Sequence, residues 1–223
     1  MFMSKIIVLI GAPGAGKGTQ ARLLQAELNI PQISTGDMFR EVQKADTPLA
    51  TEVKQILASG RLVPDDMTFQ MVKDRTSRAD CSGTYILDGF PRTPVQAEML
   101  ESLAESQDKK ISAILVDVPF DKLEKRLTGR RSCPECGEIY NVYFKAPKVE
   151  GFCDLHPEAK LTHRADDNIE KVKVRLETYK ENTKPLLEYY ETSERLQRVD
   201  GTKSPEEIFQ ELEKMVAANN VAA

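Results

Sequence analysis

Histidine is almost missing from this chain. His156 and His163 are the only two in 223 residues. Both stand far along the sequence from the glycine-rich loop described below, so a mechanism built on a histidine base is not expected. No stretch of about twenty apolar residues occurs, which excludes a membrane-spanning helix of ordinary length. The apolar run near the N-terminus is too short for a secretion signal, and it leads straight into a loop the fold needs. Neither sign of charge dominates. The 31 basic and 35 acidic side chains leave a formal net charge of −4, so bulk electrostatics recruit neither nucleic acid nor a membrane surface. Cysteine is scarce, at four. A cytoplasmic setting is expected, in which those thiols stay out of disulfides. Neither an internal repeat nor a low-complexity tract is present, and the length suits one domain with small insertions.

What is there begins with the run Ile6-Ile7-Val8-Leu9-Ile10-Gly11-Ala12-Pro13-Gly14-Ala15-Gly16-Lys17-Gly18-Thr19. An unbroken apolar segment of this kind is the pattern of a buried parallel strand. The glycines let backbone N–H groups curl around a polyphosphate, and the ammonium of Lys17 can reach the outer phosphates. The helix predicted after it, over about 16–29, turns its positive end on the same anion. Gly11-x-x-x-x-Gly16-Lys17 between strand and helix therefore reads as a nucleoside triphosphate site. One departure matters. The general motif has Ser or Thr after the lysine to hold magnesium, but here Gly18 takes that place and the hydroxyl comes at Thr19. This argues against the metal arrangement of the usual GTPases and ATPases, and no guanine-reading Asn-Lys-x-Asp motif occurs.

Strand and helix alternate along the chain. Strands are predicted at 5–10, 32–34, 84–87, 111–118 and 195–199. Helices are predicted near 17–29, 65–79, 94–105, 120–128, 168–191 and 205–217. The implied class is α/β, a P-loop doubly wound parallel five-stranded sheet flanked by helices. Ser204, Pro205 and Glu207 form a capping-box signature for the last helix, while the tail 215–223 is expected to fray. Two stretches break the rhythm. Residues 35–63 read as short helices, 37–42 and 49–59, with Gly60 as a stop. Residues 129–167 carry cysteines, glycines and β-forming side chains. The expected division is a core of 1–33, 64–128 and 168–223 with insertions at 34–63 and 129–167. Insertions at the C-terminal edge of a parallel sheet would cover its ligands.

A second apolar strand ends in Asp88-Gly89-Phe90-Pro91-Arg92. Asp88 is placed to act on magnesium through its waters. The rigid Gly-Phe-Pro turn aims Arg92, which can grip a phosphate with both arms. Within the second insertion, Cys133-Pro-Glu-Cys136 and Cys153-Asp-Leu-His156 make two knuckles of zinc-ribbon spacing. Such a closed four-ligand set is structural, tying together a lid too small for its own core. Asp154 is a rival for the fourth place, less suited because it adjoins Cys153.

The chain resembles the adenylate kinases. The shared motifs are the loop Gly-Ala-Pro-Gly-Ala-Gly-Lys-Gly-Thr, Ser34-Thr35-Gly36-Asp37, Asp88 to Arg92, Gly129-Arg130-Arg131, Pro147 to Gly151, Arg164-Ala165-Asp166-Asp167 and Val199-Asp200-Gly201. They span nearly the whole chain in order, and glycine after the loop lysine is that family's own pattern. The resemblance, to the bacterial type with a long zinc-binding lid, implies the reaction ATP + AMP ⇌ 2 ADP. It implies ATP contacts from Gly14, Ala15, Gly16, Lys17, Gly18, Thr19, Arg126, Arg130 and Lys203, with Ile139 and Tyr140 making apolar or stacking contacts to the adenine. For AMP it implies Thr35, Arg40, Arg61, Leu62, Val63, Gly89, Phe90, Pro91, Arg92 and Gln96, the last reading adenine through its amide. From residue chemistry alone Gln96 would be a solvated helix residue. Arg164 and Arg175 would hold the AMP phosphate and the group in transfer. The family varies its lid ligands, and this chain offers histidine last. A monomer is implied.

The expected chemistry needs positioned positive charge, from Lys17, Arg92, Arg130, Arg164, Arg175 and magnesium, and little proton transfer. Closure of the two insertions would keep water from taking the phosphoryl group. A UMP/CMP or GMP kinase is the nearest alternative reading. A zinc-ribbon nucleic-acid-binding module is a remote one, which the acidic balance and the phosphate loop disfavour.

Overall fold

The structure is a computed structural model that describes residues 4–218. Its strands are β1 (Lys5–Ile10), β2 (Gln32–Ser34), β3 (Tyr85–Asp88), β4 (Lys110–Asp117), β5 (Arg130–Ser132), β6 (Ile139–Asn141) and β7 (Leu196–Asp200). The helices are α1 (Lys17–Leu28), α2 (Thr35–Val42), α3 (Pro48–Ser59), α4 (Asp65–Thr76), α5 (Pro94–Ser106), α6 (Phe120–Thr128), α7 (Ile169–Thr178), α8 (Lys184–Thr192) and α9 (Pro205–Ala218).

Five strands form one parallel sheet in the order β2-β3-β1-β4-β7. The unbroken apolar run of β1 follows from its central place. Ile6, Val8 and Ile10 join a core with Tyr85, Leu87, Leu100, Leu186 and Tyr190. Ile7 and Leu9 alternate to the other face and meet Leu24, Ile114, Leu123 and Leu212. Side chains alternate with period two, so a strand covered by helices on both faces has no place for a polar residue. This is the doubly wound α/β sheet that the sequence pattern implies.

Helix starts are set by side chains. Ser34 accepts from the Asp37 N–H, Thr47 from Ala50, Thr93 from Gln96 and Asn168 from Lys171. At α9 the capping box closes in both directions: Ser204 Oγ accepts from Glu207 N at 3.2 Å, and Glu207 Oε2 accepts from Ser204 N at 3.0 Å. Each such cap stabilises by about 1 kcal/mol.

Two expectations need correction. The helix predicted over 168–191 is three pieces, with a π-helical turn at Tyr179–Thr183 between α7 and α8. Pro185 sits in the first turn of α8 and lacks the N–H that would continue the α ladder, so the chain widens before it. The tail does not fray from residue 215 onward. Helix α9 runs through Ala218, and Val216 packs in the sheet core beside Leu212. The rest of that expectation, 219–223, lies outside the described residues.

The two off-rhythm stretches have small cores of their own. Phe39, Val53 and Val63 bury one another under α2 and α3, with Met67 and Met71 of α4 alongside. In the other stretch β5 and β6 pair antiparallel. Its apolar centre is only Cys133, Tyr140 and Cys153, flanked by Ala159 and Leu161.

Candidate active site

The loops leaving β1 and β3 at their C-terminal ends open into a cleft of about 1760 Å³. Its floor is the turn 11–16, and the last glycine of that turn, Gly16, precedes α1 in a left-handed conformation with φ of 101°. Lys17 folds back over the turn, donating from Nζ to Gly11 O at 2.7 Å and Ala12 O at 3.2 Å. Burial lowers its pKa to about 8. The neighbouring charge of Asp88 opposes that shift, and those of Arg92, Arg175 and Arg130 add to it. Gly18 has a local reason to be glycine, since a Cβ there would lie 3.2 Å from Asp88 Oδ2. The place a hydroxyl takes in the general motif is held here by a carboxylate from the next strand. Asp88 also accepts from Gln32 Nε2 at 3.3 Å.

Arg92 is aimed by the turn before it. Its Nε donates to Gly89 O at 2.8 Å, and Thr35 Oγ1 donates to the same carbonyl at 2.9 Å. Gly89 has φ of 84°, and a Cβ would come within 2.9 Å of both partners' side chains, so no other residue lets the three meet. Arg130 and Arg175 converge on one carboxylate. Asp167, fully buried, accepts from Arg130 Nε at 2.7 Å and Nη2 at 2.6 Å, and from Arg175 Nη1 at 2.9 Å. Asp166 pairs with Arg175 at 3.0 Å. Burial works to raise the Asp166 pKa, but the Arg175 and Arg130 charges outweigh it and hold it below the usual range. Arg164 has its pKa lowered to about 10, first by burial and then by the charges of Arg130 and Arg40. Arg40 pairs with Asp37. Crowded guanidinium groups with too few carboxylates among them form a receptor for a polyanion.

Gly14, Ala15, Gly16, Lys17, Gly18, Thr19, Asp88, Gly89, Pro91, Arg92, Arg40, Leu62, Arg126, Arg130, Ile139, Arg164, Arg175 and Lys203 all line this cleft. Thr35 reaches it only through Gly89. Arg61 is exposed, Val63 belongs to the α2–α3 core, and Phe90 is buried against Phe69 with ring centroids 6.4 Å apart.

Two side chains stand differently from expectation. Gln96 is 1% exposed rather than solvated. Its Oε1 accepts from Arg92 N at 2.7 Å, and its Nε2 donates to Asp65 Oδ1 at 2.7 Å. Each end of the amide holds one protein group and so fixes the Arg92 turn, and the amide has one N–H and one lone pair beyond these. Tyr140 lines the cleft, but its place there is set by the lid. Its ring is 2% exposed within the lid centre, and its hydroxyl accepts from Asp154 N at 2.8 Å. The ring is therefore not a free stacking surface, so of the apolar or stacking contacts that the resemblance implied the burial favours the apolar one.

A family model for adenylate kinase matches residues 9–195. Three curated relatives, each named adenylate kinase, match nearly end to end. That of Clostridium tetani is 46% identical over 96% of this chain and 99% of its own length. That of Gloeobacter violaceus is 46% identical over 94% and 97%, and that of Thermodesulfovibrio yellowstonii 49% over 91% and 94%. The chain belongs to the adenylate kinase family.

In this member of the adenylate kinase family, Cys133, Cys136, Cys153 and His156 bring one ligand atom each to within 4.8 Å of one another. Cys136 Sγ and Cys153 Sγ are 3.8 Å apart. A tetrahedral zinc with bonds of about 2.3 Å to sulfur needs an edge of about 3.8 Å, so the donor set fits zinc. Burial opposes ionisation of Cys153. Hydrogen bonds from the Tyr140 hydroxyl and from the Leu155 and His156 backbone N–H groups outweigh it and bring the pKa to about 6, favouring the thiolate a metal takes. Asp154 is occupied elsewhere, its Oδ1 accepting from Lys148 N at 2.7 Å. His163 is exposed and outside the set.

Sequence reasoning missed Asp167 and Asp65 as the groups that hold the adenylate kinase family's arginine and glutamine in place here. Asp167 stood in a quoted motif, yet nothing in its spacing announced a fully buried carboxylate. Asp65 looks from sequence like an ordinary acidic residue of a helix's first turn.

Proposed function

We propose that this cleft transfers the γ-phosphoryl group of MgATP reversibly to AMP, giving two ADP. Membership of the adenylate kinase family makes the chain an ATP:AMP phosphotransferase, a nucleoside monophosphate kinase. The supporting observation is the convergence of Lys17, Arg92, Arg130, Arg164 and Arg175 on one cleft above a phosphate-cradling turn.

In this reading the turn 14–19 and Lys17 hold the donor phosphates. Arg126, Ile139 and Lys203, with the backbone of Tyr140, border the donor base. Thr35, Arg40, the segment 61–63, the Gly89–Arg92 turn and Gln96 hold the acceptor, Gln96 bracing the turn and offering its remaining amide N–H and lone pair to the adenine. Arg92, Arg164 and Arg175 meet its phosphate, and Arg130 and Arg175 face the group in transfer. Magnesium, when bound, neutralises phosphate oxygens, with Asp88 anchoring its waters. The arginines carry charge to where it develops on the equatorial oxygens, and no side chain is phosphorylated. We assign the core to 1–33, 64–128 and 168–223, the acceptor insertion to 34–63 and the lid to 129–167. The lid is held by Cys133, Cys136, Cys153 and His156. A zinc there supplies only structural cross-linking. Among the described residues no helix is long and apolar enough to cross a membrane. The reading carries with it a monomer in the cytoplasm.

A coupled assay with ATP and each nucleoside monophosphate tests the reading. ADP is expected from AMP and not from UMP, CMP or GMP at equal concentration. Arg92→Ala should lower the rate by roughly 10³-fold, by analogy with a lost arginine finger. A folded, magnesium-supplied protein that makes no ADP from ATP and AMP overturns it.

A further inference from the structure

Most bonds that seat the lid are local to its hinge. Asn141 Nδ2 donates to Arg126 O at 3.0 Å and Arg131 Nη1 to Thr128 O at 3.2 Å, both reaching only to the end of α6. At the lid's other hinge, Arg175 of α7 donates to Asp166 O at 3.0 Å and to Asp167 Oδ1 at 2.9 Å. Among the described residues, one side-chain bond reaches the lid away from both hinges. Arg22, on the helix that follows the phosphate turn, donates from Nη1 to the backbone carbonyl of Gly137, 115 residues away in sequence. Both residues line the cleft. Gly137 closes the first metal knuckle, its N–H donating to Cys133 O at 3.0 Å, while Cys133 N donates to Glu138 O at 2.9 Å. The acceptor carbonyl is therefore held in place by the knuckle. Gly137 has φ of 72°, and a Cβ there would lie 3.0 Å from Arg22 Nη1, so the glycine keeps the approach open.

We propose that Arg22 is a latch that holds the lid against the phosphate-loop helix and so sets the donor-nucleotide affinity. It is a positioning residue that acts through the lid. Arg22 is half-buried and takes part in none of the ion pairs found among the described residues. A guanidinium bond to a carbonyl at a half-exposed site is modest, so the lid equilibrium is biased without being locked. The placement gives selectivity. The contact lies on the donor side, between α1 and the knuckle, and touches no residue of the acceptor insertion. The kinetic part of this inference rests on the reading of the cleft proposed above, whereas the structural part does not.

Arg22→Ala keeps a strong helix former in the middle of α1, so the fold persists and the melting temperature serves as the control. In the nucleotide-free, zinc-loaded protein the ¹⁵N shift of Glu138, which follows the acceptor carbonyl, should move. Relaxation dispersion of lid amides should report an open-to-closed ratio raised about fivefold, the equivalent of one modest hydrogen bond. In the coupled assay KM for ATP should rise, by up to about that factor as the closed state is the minor one, with KM for AMP unchanged and kcat not reduced. Arg22→Lys should restore most of each effect. An unchanged Glu138 shift in Arg22→Ala overturns the latch, even if KM for ATP rises, because that pair of results assigns Arg22 to direct nucleotide contact. Equal rises in both KM values also overturn it. Should the protein make no ADP at all, the shift and dispersion still decide the latch, and only the cleft's assignment fails.

Discussion

Asp167 is the most consequential carboxylate outside the phosphate loop, and its removal should have two effects of opposite sign. It is 0% exposed and accepts three charge-assisted bonds, two from Arg130 and one from Arg175. Taking away one partner of a buried ion pair costs about 3–5 kcal/mol, because the other charge stays behind without compensation. For a chain of this length about 2–4 °C of melting temperature follows each kcal/mol, so Asp167→Ala should melt roughly 6–20 °C lower without nucleotide. Asp167→Asn is no refuge, since its Nδ2 would point a donor at a guanidinium donor. The second effect appears when a polyanion binds. Two guanidinium groups that have lost their carboxylate regain a partner in the phosphates, so the variant should bind ADP more tightly, by about tenfold. Tighter binding should not speed turnover. The arginines are no longer aimed at the group in transfer, and interactions gained in the ground state do not lower the barrier, so kcat should fall by about 10²-fold. Thermal melting with and without saturating ADP, calorimetric titration and the coupled assay measure the three quantities. A destabilisation below about 1 kcal/mol, or ADP affinity weaker than in the unaltered protein, would refute the account of Asp167 as the clamp on both arginines.

Lys17 makes donor binding pH-dependent. Its pKa in the folded protein, about 8, lies below the ordinary 10.5, so the unfolded chain binds more protons between those values. Its charge therefore weakens the fold below about pH 8, and that penalty is relieved as the pH climbs toward 10.5. A bound polyphosphate draws the pKa back up. ATP binding at pH 9 should take up protons, read by calorimetry in two buffers of different ionisation enthalpy, and should take up none at this site at pH 6.5. Lys17→Met should abolish the uptake. For the lid, Cys153→Ser should lose its zinc by elemental analysis while Asp154→Ala retains a full equivalent, because Asp154 holds Lys148 N rather than the metal cluster. Restoring the general motif with Gly18→Ser should slow phosphoryl transfer by about tenfold or more, since the new Cβ would press on Asp88 and overpacking costs about 1–3 kcal/mol. Unchanged kcat in that variant would remove Asp88 as the reason for glycine there.

The readable parts of this chain are those whose physics is local. The β1 run announces a strand buried on both faces because no polar residue interrupts it, and the sheet puts it in the centre. Ser204 and Glu207 announce a helix start because both partners lie within one turn. The Cys-x-x-Cys and Cys-x-x-His knuckles announce a four-ligand group because ligand spacing within each knuckle is short. Gln96 was not readable as a buried brace, because its partners Arg92 N and Asp65 come from separate segments. That the ring of Tyr140 also fills the lid's centre was not readable, because the residues it packs on, Cys133 and Cys153, belong to separate knuckles.

The same division explains Gly18. Read along the chain it is a defect in a magnesium-binding motif. Across the sheet, β1 and β3 are neighbours in register, with Leu9 opposite Asp88, so the turn after β1 must pass beside the carboxylate that ends β3. A Cβ at position 18 would lie 3.2 Å from Asp88 Oδ2, so that carboxylate would have to give way by a few tenths of an ångström. The missing hydroxyl and the acid at the end of the neighbouring strand are thus one arrangement, and a sequence carrying either without the other should bind its metal differently.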